Sequence, residues 1–390
     1  MKIAIMTGGG DVPGLNVCIK TLVNRSQEAG FETLGILRGW QGLLHFNPGD
    51  EQTHSRNTMP LSHNVVRTID RTGGTILHTS RTHPGKVPAM LVPDFLKKGQ
   101  TPGQPGESDR TYDFTPHILK VLELLKVDAL VVIGGDDTLG YGARIHREGF
   151  PVVCIPKTMD NDVSGTDYCI GFSTAITESV SAITKLRSTT GSHERIGVIE
   201  LFGRNSGETS LTAAYLADTD RAIISEVPFN VEKLAGLILQ DKRSNPSNYA
   251  MMTISEGARE EGGEIIQSEK IGIDPYGHKK LGGIGRITAD KLELLTGEKT
   301  VFVQLSFLMR AGPPDTLDTL VAKNFANVAM ELIADKKFGR MVAIKDGHYT
   351  DVDASLPGDG ARTVNVEKLY DVEKYRPCVW RTLGMPMLPR

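Results

Sequence analysis

VVIGGDDTLG, running from Val131 to Gly140, is the stretch on which the fold turns. An apolar run, Ala129 to Ile133, reads as a strand, Gly134 and Gly135 break it, and two adjacent carboxylates, Asp136 and Asp137, follow. A helical pattern from Tyr141 to Glu148 and a second apolar strand, Pro151 to Ile155, come next. A strand, a glycine turn, a helix and another strand form the unit of a parallel sheet with crossover helices. One acid after such a turn suits turn chemistry or a metal ion. The second acid needs a separate explanation.

The same unit recurs in both directions. Lys2 to Thr7 reads as a first strand, GGGDVPGLN as its turn, Leu15 to Ala29 as its helix and Glu32 to Leu37 as the next strand. Downstream lie helices at His117 to Leu125 and Thr174 to Leu186, and strand candidates at Glu194 to Gly203, Asn248 to Ala258 and Thr300 to Leu308. Asn47 to Asp113 is rich in Gly, Pro, Ser and Thr and holds few regular patterns, and Gly99 to Asp109 reads as a mobile loop. The expected class is α/β: two similar Rossmann-like parallel-sheet domains with a shared cleft. In open α/β sheets ligands bind at the carboxyl ends of strands, where the glycine–acid clusters fall.

A chain of 390 residues suffices for about two domains, and 39% hydrophobic with 23% charged residues is ordinary globular composition. A formal net charge of −3 gives no reason to expect nucleic acid or an acidic membrane as partner, so any anion site must be built locally. No apolar run approaches the roughly 20 residues that span a bilayer, and MKIAIMTGGG reads as a strand rather than a signal peptide. The 4 cysteines, Cys18, Cys154, Cys169 and Cys378, show no paired spacing, which fits small buried residues in a reducing cytoplasm.

Three segments and a few scattered residues carry chemistry. GGGDVPGLN offers Gly10 and Gly14 to phosphate oxygens, or is a simple tight turn. In GGDDTLG, Asp136 suits Mg²⁺ and equally suits capping the following helix. PKTMDNDVSGTD, Pro156 to Asp167, is the densest cluster: a carboxylate there can take the proton of an attacking hydroxyl, and Lys157 can neutralise a migrating phosphoryl group. Arg81, Arg195, Arg204 and Arg310 have the fork that binds phosphate, and Glu256 ends an apolar strand facing sugar hydroxyls or a helix.

Taken in order, GGGDVPGLN, TSR (Thr79 to Arg81), GGDDTLG, PKTMDNDVSGTDYCIGF, SHERIGVIELFGR and ISEGA resemble the phosphofructokinase family. The resemblance is clear from about Lys2 to Asn230 and fainter to about Gly312. It implies Mg²⁺-assisted phosphoryl transfer to the 1-hydroxyl of fructose 6-phosphate in a cytoplasmic homodimer or homotetramer. It divides the chain into a donor-binding domain, 1–171 plus about 309–360, and a sugar-phosphate domain, 172–308 plus about 361–390. Asp160 becomes the general base, Asp162 its support, Asp136 the metal ligand, Gly10 and Arg81 the donor contacts, and Thr158 the holder of sugar and phosphoryl. Phe202, Gly203, Arg204, Glu256 and Arg310 would bind the sugar phosphate, with Arg195 reaching in from a neighbouring subunit.

The resemblance also addresses the second acid. ATP-using members resemble GGDG followed by PGT, where this chain has GGDD and PKT. Asp137 would meet the α-phosphate of ATP, and Lys157 would fill the vacated space with a cation suited to a small donor. Pyrophosphate is the expected donor. Two departures touch the acceptor: Phe307 stands in place of a polar residue, and Val301 where an arginine normally grips the 6-phosphate. Sedoheptulose 7-phosphate is therefore an alternative acceptor, and ATP-dependent phosphofructokinase the alternative activity. Asn24, Asn245 and Ser247 replace cations that bind nucleotide effectors, so no control by ADP or phosphoenolpyruvate is expected. A non-catalytic sugar-phosphate binder is disfavoured by intact Asp136, Thr158 and Asp160, and a lipid or NAD kinase by PKTMDND and FGR.

Overall fold

The computed structural model describes residues 1–97, 111–266 and 281–378. The loop expected at Gly99 to Asp109 and the tail at Met385 to Leu388 lie outside them. Two sheets organise the chain. The first contains β1 (Lys2–Thr7), β2 (Glu32–Ile36), β3 (Thr58–Leu61), β4 (Ala129–Gly134), β5 (Val152–Pro156), β10 (Arg340–Lys345) and β11 (His348–Asp353). The second contains β6 (Ile196–Leu201), β7 (Arg221–Ile223), β8 (Ala250–Ser255) and β9 (Thr300–Gln304).

The strand order of the first sheet is β11-β10-β5-β4-β1-β2-β3. Its five inner strands are parallel, while β3 and β11 close the two edges antiparallel. Ile3, Ile5, Val131 and Ile133 face one side, packing on α1 (Leu15–Glu28) and on the later helix Thr316–Ala334 through Leu15, Ile19, Val321 and Phe325. Ala4, Met6, Leu130 and Val132 face the other, against Ile118, Leu122, Tyr141 and Ile145. Burial of both faces is why these strands read as unbroken apolar runs. The second sheet, ordered β9-β6-β8-β7, is entirely parallel and is sandwiched in the same way.

In the first sheet the chain leaves β1 toward β2 and later returns to β1's other side as β4. That reversal is a topological switch point, and it leaves a crevice between the turns after β1 and β4. GGG after β1 and GGDD after β4 therefore face each other, as register pairs Thr7 with Ile133 just before them.

Four boundaries differ from the sequence reading. Helix α2 spans Asp136–Arg147, so the two acids lie in its first turn, where the helix dipole favours negative charge. Helix α3, Phe172–Ser192, runs six residues past Leu186. The stretch read as strand to Leu308 ends at Gln304 and continues as a 3₁₀ turn, Ser306–Arg310. The irregular Asn47 to Asp113 region supplies edge strand β3, whose Pro60 is tolerated at a sheet margin.

Asp318, in helix Thr316–Ala334, is fully buried and ties that helix to the start of α3. Its carboxylate accepts hydrogen bonds from Tyr168 Oη at 2.7 Å, from the Gly171 and Thr174 N–H groups at 2.8 Å, and from Thr174 Oγ1 at 2.5 Å. Asp318→Ala strands these donors at the start of α3 and is expected to cost about 3 kcal/mol of stability. Thermal unfolding checks this. Among the described residues no helix is long and apolar enough to cross a membrane.

Candidate active site

The turns at the switch point and the loops from the second sheet enclose a cleft of ≈ 140 Å³. Gly9 and Gly10 form one wall, Gly135 to Thr138 the second, Lys157 to Asp162 the floor, and Arg204 with Asn205 the side nearer the second sheet. The glycines are needed for space. A Cβ on Gly10 would sit 2.5 Å from Arg310 Nη1, and one on Gly9 would sit 3.1 Å from Lys157 Nζ, at a φ of +82°. Gly14 does not line this cleft: it begins α1 in the left-handed conformation, packed on Ile170.

Lys157 is buried and crosses the cleft to the Gly10 carbonyl, donating at 2.7 Å. Burial, with Arg310 and Arg81 nearby, pulls its pKa down to about 8 against the opposing pull of Asp136 and Asp11. Arg310 reaches the same loop, with Nη1 donating to the Asp11 carbonyl at 3.2 Å and lying 3.3 Å from its carboxylate. Its guanidinium also stacks over Phe307 at 4.9 Å. Thus Arg310, expected to bind the sugar phosphate, lies against the loop that carries Gly10 and Asp11. Asp11, Thr138 and Asn205 also border the site: the first two sit inside quoted motifs, and Asn205 directly follows SHERIGVIELFGR.

The carboxylates sit opposite these cations. Asp160 Oδ1 is enclosed without a hydrogen-bond partner. Its pKa is pushed up by burial and by Glu256, against the pull of Arg204, Arg310 and Lys157. Asp162 is pushed up too, by burial, Asp160 and Asp136. The pair therefore resists carrying two full charges. Thr158 Oγ1 accepts from the Asp160 N–H at 3.2 Å, fixing the loop's direction. Asp136 Oδ1 accepts from the Asp137 N–H at 2.9 Å.

Phe202, Gly203 and Arg204 leave the carboxyl end of β6, and Glu256 leaves β8 beside them. Gly203 is confined, since a Cβ there would lie 2.5 Å from the Ser206 carbonyl and 2.6 Å from Ser255 Oγ. Burial raises Glu256 to about 7, opposed by Arg204. Phe307 is 59% exposed and its ring meets Phe202 edge-on at 5.8 Å. Arg195 precedes β6 and Val301 is the second residue of β9, both at the amino ends of their strands and away from the cleft. Among the described residues no three His, Cys, Asp or Glu side chains cage a metal ion. A second cavity of ≈ 810 Å³ shares Arg81 with the cleft and is lined by Gln41, Thr82 and His83 among others.

The phosphofructokinase family profile matches residues 2–333, beyond the motifs that end near Gly312. A pyrophosphate–fructose 6-phosphate 1-phosphotransferase of Dictyoglomus thermophilum is 35% identical over 359 residues, covering 91% of this chain and 93% of its own. An ATP-dependent 6-phosphofructokinase of Chloroflexus aurantiacus is 31% identical over 347 residues, covering 88% and 87%. The crystal structure of a pyrophosphate-dependent phosphofructokinase from Marinobacter aquaeolei superposes with a TM-score of 0.74 at 16% identity, over 97% of this chain and 89% of that one. That structural likeness bears on fold alone.

Proposed function

The chain belongs to the phosphofructokinase family, and on that premise we propose that it transfers phosphoryl reversibly from pyrophosphate to the 1-hydroxyl of fructose 6-phosphate. Relatives of both donor classes differ by only a few points of identity, 35% against 31%, so similarity alone does not choose the donor. The observation that carries the choice is Lys157, buried and bonded to the Gly10 carbonyl in a cleft that Asp137 also lines. Three cations, Lys157, Arg81 and Arg310, lie close enough to influence one another there. They match a compact, highly charged donor.

Asp160 is assigned as the base: its enclosed, unpartnered Oδ1 and raised pKa fit a group that must take a hydroxyl proton near neutral pH. Asp162 shares its charge burden, and Thr158 orients the loop. Arg204 and Glu256 are assigned to the sugar phosphate with Phe202 and Gly203, and Arg195 to the site of a neighbouring copy in a homo-oligomer. Mg²⁺ is usually held by one or two carboxylates together with substrate phosphates, so Asp136, with Asp162 beside it, fits this ion without a three-carboxylate cage. When bound, the ion supplies charge neutralisation to the phosphoryl group in flight. The residues' part is to hold the donor on Arg81, Arg310 and Lys157, align the sugar hydroxyl with Asp160, and take its proton.

Steady-state kinetics with pyrophosphate and ATP, each against fructose 6-phosphate and sedoheptulose 7-phosphate, test the reading. Turnover with ATP and none with pyrophosphate overturns it. The rate is expected to follow fructose 6-phosphate hyperbolically, and a sigmoidal response to ADP or phosphoenolpyruvate refutes that part. In the structure, Asn24 and Asn245 are engaged locally, with His63 and with the Tyr249 carbonyl.

The pH profile follows from the same groups. The base must be deprotonated, so kcat/KM for pyrophosphate climbs toward neutrality as the raised Asp160–Asp162 pair ionises. Lys157 must be charged, so kcat/KM falls again above about 8. Lys157→Arg keeps its charge at all these values and is expected to move the alkaline limb upward while leaving the acid limb in place. An unmoved alkaline limb assigns it to some other group.

A further inference from the structure

Arg362 lies beyond the matched family region, residues 2–333, yet it binds the loop that carries the two aspartates. Asn161, between Asp160 and Asp162, is buried with φ 54°, a left-handed conformation that an L-residue holds at a cost and that asparagine tolerates best. It turns the loop so that the flanking carboxylates both line the cleft. Its side chain is fully engaged: Nδ2 donates to the Asp167 carbonyl and to Glu208 Oε1, each at 3.1 Å, and Oδ1 accepts from the Cys169 N–H at 2.8 Å.

The backbone on either side is held by a single residue. Arg362 Nη1 donates to the Asn161 carbonyl at 2.9 Å, and the Arg362 N–H donates to the Asp162 carbonyl at 2.7 Å. The peptide planes before and after Asp162 are therefore both fixed by Arg362. Glu208 anchors the guanidinium, with Oε2 2.7 Å from Nη1. Glu208 opens the helix Glu208–Leu216, just beyond the sugar-side loop Phe202 to Asn205. Two residues further on, the Val364 N–H donates at 2.8 Å to Glu226, whose carboxylate also accepts from the Gly207 N–H at 3.0 Å.

We propose that Arg362, clamped by Glu208, is a positioning residue for this reaction: it sets the peptide planes around Asp162 and couples the base loop to the sugar-side loop. The proposal rests on the reading of Asp160 as base. A displacement of about 1 Å at reacting groups costs on the order of 10²-fold in rate. Arg362→Ala is accordingly expected to lower kcat by about 10²-fold, with KM for pyrophosphate changed less than severalfold. Arg362→Lys, which keeps a donor but loses the fork, should recover part of kcat. Glu208→Gln should lower kcat less than Arg362→Ala, and the double variant should be no worse than Arg362→Ala alone, because both act on one clamp.

The decisive arm is rescue. Arg362 is 31% exposed, so free guanidinium can reach the gap left by Arg362→Ala. Restored kcat at millimolar guanidinium, with methylammonium as a weaker control, supports the proposal. A kcat within twofold of wild type overturns it. So does a kcat loss that tracks a lowered thermal midpoint and resists guanidinium, which marks a merely structural role. If wild-type protein turns over ATP but not pyrophosphate, the donor reading fails, while the same wild-type-to-variant comparison run on ATP still decides the role of Arg362.

Discussion

Asp160→Asn is expected to lower kcat by about 10²–10⁴-fold, the range that a positioned general base contributes. Pyrophosphate binding, read by isothermal titration, should stay within a few-fold, because the donor contacts assigned here come from Lys157, Arg81, Arg310 and Gly10. Stability supplies a second readout with the opposite sign. Asp160 Oδ1 is enclosed without a partner, beside Glu256, so its charge is held at a cost in the folded state. The amide carries no charge to bury. The variant should therefore unfold at the same temperature or higher, while turning over far more slowly. A dead enzyme with a lowered midpoint would point to a structural aspartate, and a fully active one would remove Asp160 from the chemistry.

That opposition between stability and activity marks the places where the sequence could be read and where it could not. Most inner strands were legible because they are buried on two faces, which writes Ala129 to Ile133 and Pro151 to Ile155 as plain apolar runs, although Arg340–Lys345 and Arg221–Ile223 were missed. Edge elements were harder. Thr58–Leu61 hides in a Pro- and Thr-containing stretch because only one side of it pairs. The hairpin of β10 and β11 turns on Asp346-Gly347, both at positive φ (50° and 77°), a two-residue turn whose only trace in the sequence is the short KDGH signal. The cleft motifs were legible because each follows a strand in a glycine turn. Arg362 was not: it lies more than 150 residues from Glu208 along the chain, in no motif, and only the fold brings it to Asn161.

The two acids of the opening stretch separate along the same lines. Placed in the first turn of α2, Asp136 and Asp137 both benefit from the helix N-terminus, so neither needs a ligand to be tolerated there. What separates them is the surroundings. Asp136 is near enough to Asp162 and Lys157 to shift both, which fits the metal-side role proposed for it. Asp137 lines the cleft together with Lys157, and the role proposed for it is to exclude a nucleotide donor.

Replacing the pair, Asp137→Gly with Lys157→Gly, is expected to admit ATP as donor and to weaken pyrophosphate. Space is not the obstacle to a nucleotide, because the ≈ 810 Å³ cavity shares Arg81 with the cleft. The obstacle lies at the junction. A carboxylate about 4 Å from an α-phosphate charge costs about 4 kcal/mol near a protein surface, or roughly 10³-fold in affinity. The Lys157 side chain meanwhile occupies the path past Gly9 and Gly10. Neither single change should suffice: Asp137→Gly leaves the lysine in the way, and Lys157→Gly leaves the acid there with less counter-charge. Together they should raise kcat/KM for ATP by at least about 10²-fold and lower it for pyrophosphate, whose compact charge loses its buried cation. Gain by the double variant alone, beyond the sum of the singles, would identify the two residues as one device. A double variant that still rejects ATP would move donor choice away from the junction and into the walls of the larger cavity, where Gln41, Thr82 and His83 face it.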